Sequence, residues 1–220
     1  MSIKIPSLEN LDSITYFAVG SVITFLLTIA GFYFKTKFER KSEFKKEIGK
    51  RMAEAMKSVR DIANKLNMIE IYNLDEIGKV SSFDMTYYPS VLMDVDTLNE
   101  FFGEIAETRR NQDQYLSDKV AAHLFVLERY IMELYPVAKG YVHNNTLPEL
   151  GIALFDDFKR WSATLEKLTV NDMNSGTYKI SSHAGRKWEK EKTTAYEKMY
   201  NGSSLQKMKD SDEETLYEDR

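Results

Sequence analysis

The sequence predicts an all-α protein: a single N-terminal transmembrane helix, then a cytoplasmic antiparallel helical bundle and a polar tail. Three observations carry that expectation. Residues 14–34 contain no charged side chain. Apolar residues recur at alternating spacings of three and four between residues 48 and 168, the period of one helix face. The chain has only 10 glycines and 4 prolines in 220 residues, few for a strand-and-turn fold.

The charge-free stretch has the length of a membrane span, since about 20 apolar residues at ~1.5 Å each cross a hydrocarbon core. A cleaved signal peptide fits poorly. Only Lys4 precedes the stretch, against Glu9 and Asp12, and its far end is the bulky Phe32, Tyr33 and Phe34. An interfacial helix would need a basic polar face within these residues, and none exists. Tyr16, Phe17, Tyr33 and their neighbours suit the two headgroup levels.

The basic flank sets the expected orientation. Lys35, Lys37, Arg40, Lys41, Lys45 and Lys46 follow the stretch, with Lys50 and Arg51 beyond, whereas Lys4 alone precedes it. The positive-inside rule then puts residues 1–13 outside and the rest in the cytoplasm. Residues 35–47 form a basic juxtamembrane helix, an orientation signal with a membrane as its neighbour. Within the stretch, Gly20, Thr24, Thr28 and Gly31 fall on one face. Small residues there admit a second helix, either another membrane protein or a copy forming a weak homodimer.

Residues 35–68 read as one helix leaving the membrane. Ile48, Met52, Ala55, Val59, Ile62, Leu66 and Ile69 make a heptad seam, expected to pack within the same chain; a coiled coil between two copies is the alternative. Residues 70–96 break the pattern with turn chemistry, leaving room for a short helix at 74–80. A second helix is expected after Asp96, burying Leu98, Phe101, Phe102 and Ile105. A third runs over 113–135 through Leu116, Val120, Leu124, Leu127, Ile131 and Leu134, ended or kinked by Pro136.

Residues 140–145 read as a loop. Thr146, Pro148 and Glu149 spell a capped helix start, followed by Leu150, Leu154, Phe158, Trp161, Leu165 and Leu168. Trp161 is expected at the centre of the packing. The body therefore spans 48–170. Residues 171–220 are a polar, partly helical or disordered tail, with Trp188, Ala195, Tyr196 and Met199 on one loose helical face.

Little in the sequence points to catalysis. There is no cysteine, which excludes disulfides, thiolate metal sites and a cysteine nucleophile. His123, His143 and His183 lack the spacing that puts two metal ligands on one helix face, so no metal or other cofactor is expected. His123 reads as a core-edge residue, and His143 sits in a loop where function concentrates. Glu100, Glu104 and Glu107, like Asp156 and Asp157, read as the wet faces of amphipathic helices. There is no phosphate-binding glycine loop and no nucleophile elbow. A formal net charge of −4 gives no support to nucleic-acid binding. The function expected is that of a membrane-anchored helical interaction protein, an adaptor or accessory subunit that binds another protein. A membrane-tethered enzyme with an unrecognised helical site is the alternative.

Overall fold

A computed structural model describes residues 8–72, 86–142, 146–175 and 181–218; the side chains of 8–20, 23, 142 and 212–218 lie outside the description. The described residues include seven α-helices, two 3-10 turns and one two-stranded sheet. The chain forms two compact units, Met1–Glu47 and Ile48–Arg220.

The helix α1 (Leu8–Asn67) carries the first unit. Val22, Phe25, Leu26, Leu27, Ile29, Phe32, Tyr33 and Phe34 are all exposed there. Consecutive residues are turned by about 100°, so these side chains cover a broad arc, roughly 220° of the circumference, and leave the face of Ser21, Thr24, Thr28 and Gly31 between its edges. Among the described residues no helix is long and apolar enough to cross a membrane. The expected span is therefore not supported by a spanning helix. The described apolar run covers only residues 21–34, and residues 14–20 and 23 of the expected span lie outside the described side chains.

In the second unit, the middle of the α1 seam is buried in the chain's own core: Ala55, Val59, Ile62 and Leu66 are covered, joined by Met56 and Ala63, while Ile48 and Met52 are half-buried. These residues make the packing expected within the same chain. Ile69, read as the seam's last member, is on a strand and exposed. Strands β1 (Ile69–Tyr72) and β2 (Thr86–Pro89) pair antiparallel, Ile69 opposite Pro89 and Tyr72 opposite Thr86. The irregular reading of 70–96 missed this pair. Isoleucines and tyrosines favour a pleated surface, and a cross-strand ring contact between Tyr72 and Tyr88 closes it. The short helix considered at 74–80 lies outside the described residues.

α2 (Val95–Gln112) starts earlier than expected, because Asp94 and not Asp96 is its cap: the Asp94 carboxylate accepts the Thr97 N–H at 2.7 Å. A 3-10 turn (Asp113–Tyr115) separates it from α3 (Asp118–Val142). The third helix thus begins five residues late, where the Ser117 hydroxyl accepts the Val120 N–H. It does not end at Pro136 but runs through it.

The fourth expected helix is two. α4 (Leu147–Ala153) gives way at Leu154 to α5 (Phe155–Ser175). The capping box does not form, since the Thr146 hydroxyl donates instead to the Tyr141 carbonyl. Gly151 lets α4 approach β2 closely: a Cβ there would lie 3.0 Å from the Tyr88 Cβ, and Tyr88 would have to give way. Trp161 is fully buried, as expected.

The helix expected at 184–200 forms, but its apolar face is packed and not loose. α6 (Gly185–Met199) and α7 (Ser204–Glu218) follow, and Trp188, Ala195, Met199, Tyr200 and Leu205 join the same core cluster as α3 and α5. Composition misled because few apolar residues here do all the burying, while lysines and glutamates dominate the count. Gly185, at φ 78, makes the left-handed turn into α6 that a side chain would strain.

Candidate functional site

Three concavities in the second unit hold the described polar and apolar candidates. The first is a groove of about 570 Å³ between α1 and α2, lined by Asp61, Lys65, Glu104 and Glu107 among others. Lys65 pairs with Glu104 across it. Glu104 is thus ion-paired with a residue 39 positions away in the chain. Glu107 accepts a long bond from Asn111 on its own helix.

The second, of about 590 Å³, is bounded by Arg109, Arg110, Phe125, His183 and Trp188. Arg109 pairs with Glu128 and lies 4.7 Å from the Phe125 ring centroid. Burial pulls its guanidinium below the usual value, with Asp113 opposing. His183, merely counted in the sequence, is held here on every side. Nε2 is 2.6 Å from the Asp113 carbonyl and Nδ1 is 3.1 Å from the Asp118 carboxylate, which also accepts from Ser181. The ring lies against Trp188 at 4.9 Å. Lys187, ahead of the other donors, holds the Asp118 carboxyl below the usual carboxylate range.

Ser, His and Asp thus converge without forming a nucleophilic triad. The serine donates to the aspartate instead of the imidazole, and both ring nitrogens are engaged. The cluster acts as a clasp: it ties the approach to α6 onto the start of α3. His123 is buried, with Nδ1 2.8 Å from the Lys119 carbonyl, and burial pulls it below the usual imidazole value. His143 lies outside the described residues. Among the described residues no group of three or more histidines and carboxylates could hold a metal ion.

The third concavity is apolar, about 490 Å³, lined by Val95, Leu98, Met132, Tyr135, Pro136, Ala138 and Lys139. Pro136 shapes it: lacking an N–H, it cannot bond the Met132 carbonyl one turn back. Met132 is 56% exposed at the rim, and Lys139 supplies the one charge. A groove of this kind can seat an apolar side chain but offers no reacting group.

The residues expected at the membrane fall on α1. Lys35, Lys37, Arg40, Lys41, Lys45 and Lys46 are all exposed, and the Lys37 ammonium lies 5.9 Å from the Tyr33 ring centroid. On the small-residue face, the Thr28 hydroxyl donates to the Thr24 carbonyl of its own helix at 2.8 Å. It is engaged within the helix. Gly31 has open space where a Cβ would stand, and Gly20 lies outside the described side chains.

A polar cluster that sequence spacing could not reveal fastens the last helices. Glu133 on α3 accepts from Arg129 at 2.8 Å, from Lys209 at 2.7 Å and from the Tyr200 hydroxyl. Burial alone would raise the Glu133 carboxyl. The bonds from Lys209, Tyr200 and Arg129 outweigh it and hold Glu133 at about 2. Burial first, and Glu133 second, push Tyr200 up to about 12.

A depressed carboxyl stabilises the fold above its unfolded value and ceases to as the pH falls through its folded one. The stability of the second unit should therefore decline between about pH 4.5 and 2. Thermal unfolding across that window, wild type against Glu133→Gln, checks it. The variant is expected to show a flatter pH dependence, and equal slopes would remove Glu133 as the cause.

Compared with protein-family models, curated proteins and solved structures, the chain matches none.

Proposed function

We propose that this chain is a single-pass, membrane-anchored interaction protein, an adaptor or accessory subunit. In this reading residues 14–34 form the anchor, residues 1–13 lie outside, and the helical body faces the cytoplasm. The observation that carries it is the run of exposed large apolar side chains around most of α1 from Val22 to Phe34, interrupted by the face of Thr24, Thr28 and Gly31. Leucines and phenylalanines over so broad an arc exceed the single stripe of an amphipathic helix, of about 100°, and fit a surrounding hydrocarbon. The charge-free residues 14–20 extend that run to spanning length. The basic residues after Phe34 supply the orientation.

The body offers the apolar groove at Met132 and Pro136 as the docking site for an apolar side chain of a partner protein. No described constellation of the body presents a free base beside a nucleophile. Alkaline carbonate extraction and a reporter fused after Arg220 test the anchor. The expected result is retention in the membrane fraction and activity only of a cytoplasmic reporter. Release by carbonate, or glycosylation at the acceptor sequence Asn201-Gly202-Ser203, would sink it. Met132→Arg should abolish co-purification of a partner in mild detergent while leaving membrane retention unchanged; persistence of the partner would remove the groove from the proposal.

A further inference from the structure

The charges on residues 35–47 of α1 are sorted by face. Lys37, Lys41 and Lys45 repeat every four residues and so form one stripe. Phe34, Phe38 and Phe44 stand three residues from Lys37 or Lys41 and interleave with that stripe. Phe38 is 76% exposed and Phe44 is 61% exposed. Glu39, Glu43 and Glu47 repeat at the same interval on the opposite face.

The two stripes differ in what surrounds them. Glu39 has Lys35 four residues before it, and Glu43 has Arg40 and Lys46 three residues to either side. These spacings let opposite charges meet on a helix. The residues three and four away from Lys37, Lys41 and Lys45 include no carboxylate at all. They are instead phenylalanines, tyrosine, small residues, an isoleucine, Arg40 and the lysines themselves. Like charges four apart weaken an isolated helix. The acidic stripe is thus offset within the helix, and the basic one calls for anions from outside.

We propose that the face of α1 bearing Phe34, Lys37, Phe38, Lys41, Phe44 and Lys45 rests against anionic lipid headgroups and sets the direction in which the helix tilts. This rests on the membrane reading above. Three features favour lipid over an acidic protein. The stripe follows the exposed apolar run without a break in α1. Aromatic rings interleaved with lysines suit the boundary between headgroups and acyl chains. The reach also fits. At ~1.5 Å per residue, Lys37 lies about 5 Å and Lys45 about 16 Å beyond Phe34. The headgroup layer and one Debye length of ~8 Å cover that distance only if the helix leans. Leaning the lysine face towards an anionic leaflet is favourable, and leaning the glutamate face is not, so the tilt acquires a direction.

The chain has no cysteine, so one introduced cysteine is the sole thiol label site. Full-length Phe44→Cys and Glu43→Cys proteins, each carrying an environment-sensitive fluorophore, are placed in vesicles of phosphatidylcholine with or without phosphatidylserine. The label at 44 should shift to the blue and be quenched from the headgroup level only with phosphatidylserine. The label at 43 should stay open to an aqueous quencher. Lys37→Gln, Lys41→Gln and Lys45→Gln together should erase the difference. Lys35→Gln, Arg40→Gln and Lys46→Gln, which remove as many charges, should preserve it. Equal loss in both triple variants, equal shielding at both positions, or shielding without anionic lipid overturns the inference. So does a label at 44 that is open in these vesicles but covered in native membranes, which would assign the face to a protein. Failure to float with either vesicle overturns the anchor and this inference together, whereas flotation with equal shielding overturns only the latter.

Discussion

Trp161→Ala is expected to destabilise the second unit by about 3–5 kcal/mol, the range for deleting a large aromatic side chain from a close-packed core. Trp161 is fully buried. It contacts Tyr130 with ring centroids 6.1 Å apart, and Tyr130 in turn meets Phe158 and Tyr200. One ring at this point therefore joins α3, α5 and the end of α6. Its buried indole N–H has no hydrogen-bond partner among the described residues. Trp161→Phe discards that polar group and keeps most of the volume, so its cost should be far smaller, about 1 kcal/mol. Urea unfolding of the full chain in mild detergent, followed by far-UV circular dichroism, measures both. If alanine costs no more than phenylalanine, the aromatic centre is not what holds these helices.

Asp157→Ala is expected to cost about 3 kcal/mol or more, since it strands several buried groups together. The sequence reading placed Asp156 and Asp157 on a wet helix face. Asp156 is exposed, but Asp157 is buried. Its carboxylate accepts from the Tyr130 hydroxyl at 3.0 Å, from the Leu205 N–H at 3.3 Å and from Arg160 at 3.3 Å. Arg160 also donates to the Met199 carbonyl, closing the link between α5 and the end of α6. The Leu205 bond satisfies one of the free N–H groups at the start of α7, so the loss should be felt first there. Hydrogen exchange over residues 204–211 should rise before exchange in α2 does. Asp157→Asn, which keeps an acceptor, should fall between alanine and wild type. Uniform exchange in the alanine variant would show that the aspartate supports the whole core rather than the docking of α7.

These two residues mark the limit of what was legible. Trp161 was found from its place in a repeat of threes and fours, because a helix face is a local property. Asp157 was misread by the same logic. Its neighbours in sequence are charged, and the two partners that join it to other helices are 27 and 48 residues away. Glu133 and Lys209, 76 residues apart, could not be paired from spacing either. His183 gave no signal, since Asp118 and the Asp113 carbonyl meet it only once α3 and the approach to α6 are folded together.

By itself, the sequence determined the helical character of the chain, the buried face of α1 from Ala55 to Leu66, the central place of Trp161, and the charge-sorted segment after residue 34. Each is set by side-chain period along one helix, which needs no distant partner. Tertiary structure alone decided that Ile69 turns onto a strand, that Asp157 and His183 are enclosed, and that the residues after 185 join the core. In each case the deciding contact joins segments far apart in the chain. Whether a polar group is wet or buried depends on what the fold brings to it.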